Sequence, residues 1–158
     1  MRFARILVLA LVFVLTTAGV YAASDWLKGS LDEKFKTLAD IQPGLGTVMI
    51  EYGARYGNMY YAAKGGNWDL VAYQLKEARE IQEVGETTRP ARAEGLKAFE
   101  KSYLDPLELA IKAKNFARFD KAFKNGIAGC NGCHAAQGFP YIKFELPKAP
   151  TFPLSMKP

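Results

Sequence analysis

Apolar residues along this chain recur at steps of three and four, the period of a helix, and no run alternates in the manner of a strand. Leu31, Phe35 and Leu38 predict a short helix within residues 24–41. Pro43 sits where a first helical turn tolerates proline, and a longer helix is expected over residues 43–64, stopped by Lys64-Gly65-Gly66. Asn67 is a natural N-cap for a second long helix from Trp68 to about Thr87, with Leu70, Val71, Leu75, Ala78 and Ile81 facing inward. Pro90 closes it. A third helix starts near Ala91 and carries Leu96, Phe99 and Tyr103; Asp105-Pro106 either kinks it or opens a new helix capped by Asp105. The pattern resumes with Leu107, Leu109 and Ile111. Asn115 caps a fourth helix, in which Phe116, Phe119, Phe123, Ile127 and Cys130 keep the period until Gly138 and Pro140. Five of the eight prolines fall between Pro140 and Pro158, so that segment is expected to be extended, with Phe139, Ile142, Phe144 and Leu146 laying it on the body. The expected fold is all-α: an antiparallel four-helix bundle with a C-terminal extended Pro-rich tail.

The first residues do not fit that pattern. Arg2 and Arg5 precede an unbroken apolar run over residues 6–15, and residues 16–23 end in small side chains. This is the form of a cleaved secretory signal peptide over residues 1–23. A retained membrane anchor is the competing reading, and the run is short of the ~20 residues that span a bilayer. The expected organisation is a leader over 1–23, a helical domain over 24–138 and a tail over 139–158, in a periplasmic protein with no membrane span after cleavage. Loss of Arg2 and Arg5 lowers the net charge from +5 to +3. So mild an excess, with no basic run interleaved with aromatics, gives no reason to expect nucleic acid as a partner.

Candidate chemistry is concentrated in five residues, "CNGCH", Cys130 to His134, which hold both cysteines and the only histidine of the chain. A zinc site wants about four ligands, and this cluster offers three with no second cluster. A thioredoxin-like dithiol wants a βαβ setting, which a helical chain lacks. A disulfide from Cys130 to Cys133 is unfavourable inside a helix. Covalent attachment of one haem c through C-x-x-C-H remains. On a helix Cys133 lies one turn after Cys130 and His134 four residues after it, so two thiols and an imidazole point to one side. The thiols add to the haem vinyl groups and the imidazole binds the iron. Gly129 and Gly132 are expected to leave room for the macrocycle. No nucleophile–base pair suggests an enzyme.

The second axial position has no histidine to fill it. Met49, Met59 and Met156 are the available methionines. In an antiparallel bundle the end of the fourth helix lies beside the start of the first, where Met49 is; Met59 is about 15 Å further along the axis. Gly46, Gly53 and Gly57 form a stripe beside Met49, which suits either close approach of haem or tight packing. Arg89 and Arg92 flank Pro90 at the same end and are candidate partners for haem propionates. Trp68, Tyr73, Phe99, Phe119 and Phe123 are expected in the core, where they would also keep a haem pocket dry.

With "FARFDKAFKNGIAGCNGCH" close to its C-terminus and a helical chain before it, the sequence resembles the class II cytochromes c, the family of cytochrome c′ and cytochrome c-556. The resemblance covers roughly residues 43–138 and implies an exported four-helix bundle. By likeness to the c-556 type, Met49 is the sixth ligand and the protein carries single electrons between redox partner proteins. By likeness to the c′ type, the position is vacant and gases such as NO or CO bind. Gly138 stands where cytochromes c′ commonly carry a basic residue, which favours the first. The resemblance also offers homodimerisation through the first two bundle helices. A third reading is a haem subunit of a larger redox complex, docked through the tail or the basic surface.

Overall fold

The computed structural model describes residues 26–158. The leader read at residues 1–23 lies outside the described residues. The chain divides into two compact units, residues 1–42 and 43–158.

In the first unit, α1 (Leu31–Asp40) opens on a reciprocal cap. Ser30 Oγ accepts from Glu33 N–H at 3.3 Å, and the Glu33 carboxylate accepts from Ser30 N–H at 2.7 Å. The helix buries none of its residues; Leu31 and Phe35 are exposed.

The second unit is helical throughout its regular structure, with no strand among the described residues. In α2 (Leu45–Gly65) the N-cap is Gly44, so Pro43 lies just outside the helix rather than in its first turn. Gly66 ends α2 in the left-handed region at φ 81°, a conformation that glycine adopts without a Cβ penalty. Asn67 then caps α3 (Trp68–Thr88), its side-chain oxygen accepting from Leu70 N–H at 3.0 Å. Pro90 is the first residue of α4 (Pro90–Phe99), where its missing N–H costs nothing.

At Asp105-Pro106 no new helix starts with Asp105 as cap. A π-helical turn (Glu100–Leu104) joins α4 directly to α5 (Asp105–Lys112). In an α-helix Pro106 would deprive Ser102 of a partner and press its ring on that carbonyl. The wider turn redirects the ladder, and Asp105 N–H bonds Glu100 O instead. Arg79 of α3 braces this joint through the carboxylates of Glu100, Asp105 and Glu108. Finally, Asn115 caps α6 (Phe116–Ala136), accepting from Arg118 N–H at 2.9 Å.

The core is built among α2, α3, the joined α4–α5 and α6. Tyr56, Met59, Leu104, Leu107, Phe119 and Phe123 are fully buried. The rings of Tyr56 and Phe123 stack at 4.5 Å, and the Tyr56 hydroxyl donates to Phe123 O at 3.0 Å. Gly126 makes this approach possible: a Cβ there would stand 1.9 Å from the Tyr56 hydroxyl. Gly129 has the same function one turn on, since a Cβ would lie 2.6 Å from the Tyr103 ring. Gly129 therefore makes room for a neighbouring helix rather than a macrocycle, whereas a Cβ on Gly132 would meet nothing within 4 Å. Of the aromatics expected inside, Phe99, Phe119 and Phe123 are buried and Trp68 packs edge-on against Phe119 at 6.0 Å. Tyr73 is the exception, 47% exposed on the outer face of α3.

Residues beyond Gly138 form no helix or strand and pack along α2. Tyr61 donates from its hydroxyl to Pro147 O, and Asn58 Oδ1 accepts from Thr151 N–H at 2.7 Å.

Replacing Gly126 with Ala should cost about 1–3 kcal/mol through overpacking. Tyr56→Phe alone should cost about 1 kcal/mol for the lost hydrogen bond. Because the hydroxyl is the clashing atom, the double variant should be more stable than the two losses predict. Denaturant unfolding of the four proteins measures that coupling, and strict additivity would contradict the packing described.

Candidate functional site

Helical phase brings the chemistry-bearing residues of α6 together at its C-terminal end. Cys130, Cys133 and His134 all line one cavity of about 500 Å³. That volume falls within the roughly 300–1,000 Å³ of small-molecule and cofactor sites. The first turns of α2 supply a second wall with Gly46, Met49, Tyr52 and Gly53, and α4 supplies Arg92, Leu96 and Phe99. The tail closes a further side with Phe139, Ile142, Lys143 and Phe144. Gln82 of α3, almost completely buried, reaches the same space and donates to Leu96 O at 3.2 Å.

The imidazole is held by a tail carbonyl: His134 Nδ1 lies 2.9 Å from Ile142 O. A carbonyl oxygen only accepts, so Nδ1 carries the proton and Nε2 is the nitrogen with a free lone pair. This is the arrangement that fixes a metal-binding histidine in one tautomer and one orientation. Burial pushes the Cys130 thiol up to about 12, with the neighbouring Cys133 adding to it. The Cys133 thiol is also raised by burial, against an opposing pull from Arg92. Both shifts favour the neutral thiol in a largely apolar cavity. Among the described residues no three His, Cys, Asp or Glu side chains converge on a point that could hold a metal ion. The two thiols and the imidazole share a wall without forming a zinc-like cage.

Of the methionines, Met49 lines the cavity, Met59 is fully buried in the core and Met156 lies partly buried in the tail. Arg92 also lines it, hydrogen-bonded to Gln137 Oε1 and set over the Phe139 ring at 5.6 Å. Arg89 is not among the lining residues. Its guanidinium donates to Thr88 O at 2.6 Å and Pro43 O at 2.9 Å, bracing the ends of α2 and α3.

The glycine stripe of α2 divides in two. Gly46 opens on the cavity, and a Cβ there would meet nothing within 4 Å. A Cβ on Gly53 would press on the Phe144 ring at 3.2 Å, and one on Gly57 on Pro147 at 3.1 Å. Tight packing thus explains Gly53 and Gly57, and the packed element is the tail.

Tyr52 was not singled out by the sequence, although it follows Met49 by three residues, one helical step on the same side. Its ring meets Tyr56 at 6.0 Å and Phe99 edge-on at 6.3 Å, and its buried hydroxyl has no hydrogen-bond partner. Burial raises the ionisation of both Tyr52 and Tyr56 well above the ordinary 10.0, with Cys130 adding to each.

No protein-family model matches the chain, and neither a curated protein nor a solved structure resembles it at a significant level.

The raised tyrosines make the fold alkali-sensitive. Unfolded tyrosine loses its proton near pH 10, while the folded chain keeps it. Above that pH the folded state therefore holds more protons and stability falls. Each such tyrosine contributes up to about 1.4 kcal/mol per pH unit. Tyr56→Phe should lose stability less steeply by that amount between about pH 10 and 12, measured by urea unfolding at each pH; parallel curves would contradict the burial of Tyr56.

Proposed function

We propose that this chain is an exported monohaem cytochrome c that carries single electrons between redox partner proteins in the periplasm. We propose for its fold an antiparallel four-helix bundle of α2, α3, the joined α4–α5, and α6. The observation that carries the reading is the shared wall of Cys130, Cys133 and His134 on a largely apolar cavity, with Nδ1 of the histidine capped so that Nε2 is the nitrogen available to iron. When bound, haem c supplies a one-electron Fe(III)/Fe(II) couple.

The residues divide the work. Cys130 and Cys133 would hold the porphyrin through thioethers, and His134 would bind the iron. Met49, on the α2 wall of the same cavity, would be the second ligand to the iron. Arg92 faces the propionates, with Lys143 as a second cation on the lining. Arg89 is committed to backbone carbonyls and serves the loop. Leu96, Phe99 and Phe144 exclude water, which raises a haem potential.

One observation favours the rival reading, a five-coordinate gas-binding protein. The unpartnered Tyr52 hydroxyl is a buried donor at the cavity wall, suited to a small polar ligand at the sixth position.

Visible spectra of the oxidised and reduced protein, with and without CO or NO, separate the two. Electron transfer predicts a low-spin spectrum with a methionine–iron charge-transfer band and no response to CO. Met49→Ala should turn it high-spin and CO-sensitive. An unchanged spectrum in that variant would remove Met49 as ligand. A wild-type protein that is colourless after denaturation, when made in cells competent for haem c maturation, would end the cytochrome reading altogether.

A further inference from the structure

The two residues between the cysteines are usually read as spacers. We infer that one of them, Asn131, is a positioning residue: it fixes the proximal imidazole of His134 through the C-terminal tail. The inference rests on the haem reading above and goes beyond it.

The Asn131 side chain makes two hydrogen bonds to the backbone of a single tail residue. Its Nδ2–H donates to Phe144 O at 3.1 Å, and its Oδ1 accepts from Phe144 N–H at 2.7 Å. A primary amide is the side-chain group that offers a donor and an acceptor side by side, so it can satisfy both polar groups of one peptide residue. Two residues earlier in the tail, Ile142 O accepts from His134 Nδ1 at 2.9 Å. Asn131 and His134 are three apart on α6 and so lie on one helix face. Ile142 and Phe144 are two apart in an extended segment and so lie on one side of it. The two spacings register the tail against the haem motif. The Phe144 ring fixes the far side, packed on Gly53 and edge-on to Tyr56 at 5.9 Å. The carbonyl that orients His134 is thus set by the Asn131 clamp on one side and the Gly53 notch on the other.

A carbonyl accepting from Nδ1–H makes the imidazole a stronger donor at Nε2 and favours the more highly charged ferric state. Releasing the tail weakens that bond. The reduction potential then rises, and the imidazole proton becomes open to water.

The test uses the full-length holoprotein as wild type, Asn131→Ala and Asn131→Asp. In Asn131→Ala the ferric–ferrous equilibrium should shift toward ferrous by about tenfold, or about 59 mV for one electron. The Nδ1 proton of His134, followed by NMR in the reduced protein, should exchange with solvent faster than in wild type. Asn131→Asp keeps the acceptor for Phe144 N–H and should shift the equilibrium less than Asn131→Ala; it also serves should the alanine variant fail to fold, since any rise in potential with faster exchange supports the clamp. Unchanged potential and unchanged exchange, with haem attached to both cysteines, would overturn the role of Asn131 and leave the cytochrome reading standing. Absence of covalent haem from the wild type would overturn both.

Discussion

Everything at the site depends on how closely α6 can approach its neighbours. Tyr56 of α2 lies flat on Phe123 and places its hydroxyl against the α6 backbone over Gly126. One turn on, Tyr103 of the π turn lies against Gly129. Two glycines three residues apart let aromatic rings take the place of side chains. The helix is thereby pinned just before it reaches Cys130, so its final turn is presented at a fixed height and rotation. Glycine within a helix costs about 1 kcal/mol relative to alanine, and burial of the aromatic groups that these two admit offsets that cost several-fold.

The tail completes what the helices leave open. Three helices and the tail furnish most of the cavity wall, and the tail alone supplies the carbonyl on His134. Its anchorage is polar as well as apolar: Asn58, Tyr61, Asn67 and Asn131 all bond tail backbone groups. A segment rich in proline has fewer N–H groups to satisfy, and side-chain amides of α2 and α6 accept from three of those that remain, on Phe144, Thr151 and Phe152. This is how an irregular chain lies on a protein surface without the ladder of a sheet.

The helices were legible because their punctuation is chemical. Asn67 and Asn115 cap, Gly66 stops, and each does so within a residue or two of where the sequence put it. Asp105-Pro106 was ambiguous because the π turn that absorbs the proline has no composition of its own, and Arg79, which gathers one carboxylate from that turn and two from α5, is remote in sequence. At the site, the grouping of Cys130, Cys133 and His134 followed from helical spacing alone, and the cavity's inclusion of Met49 and Arg92 followed from which helix ends meet. The tail residues and Tyr52 were out of reach for a different reason. Ile142 acts through its backbone, which carries no sequence signature, and Tyr52 matters through a hydroxyl left without a partner, which only three-dimensional surroundings reveal.

The tail also imposes a chronology. The wall made by residues 139–144 is synthesised after both sulfurs, so for that interval the pocket lacks one flank. Approach to the two thiols across that flank is open only until this last panel packs. A chain ending at Gly138 would lack both that flank and the carbonyl that holds His134.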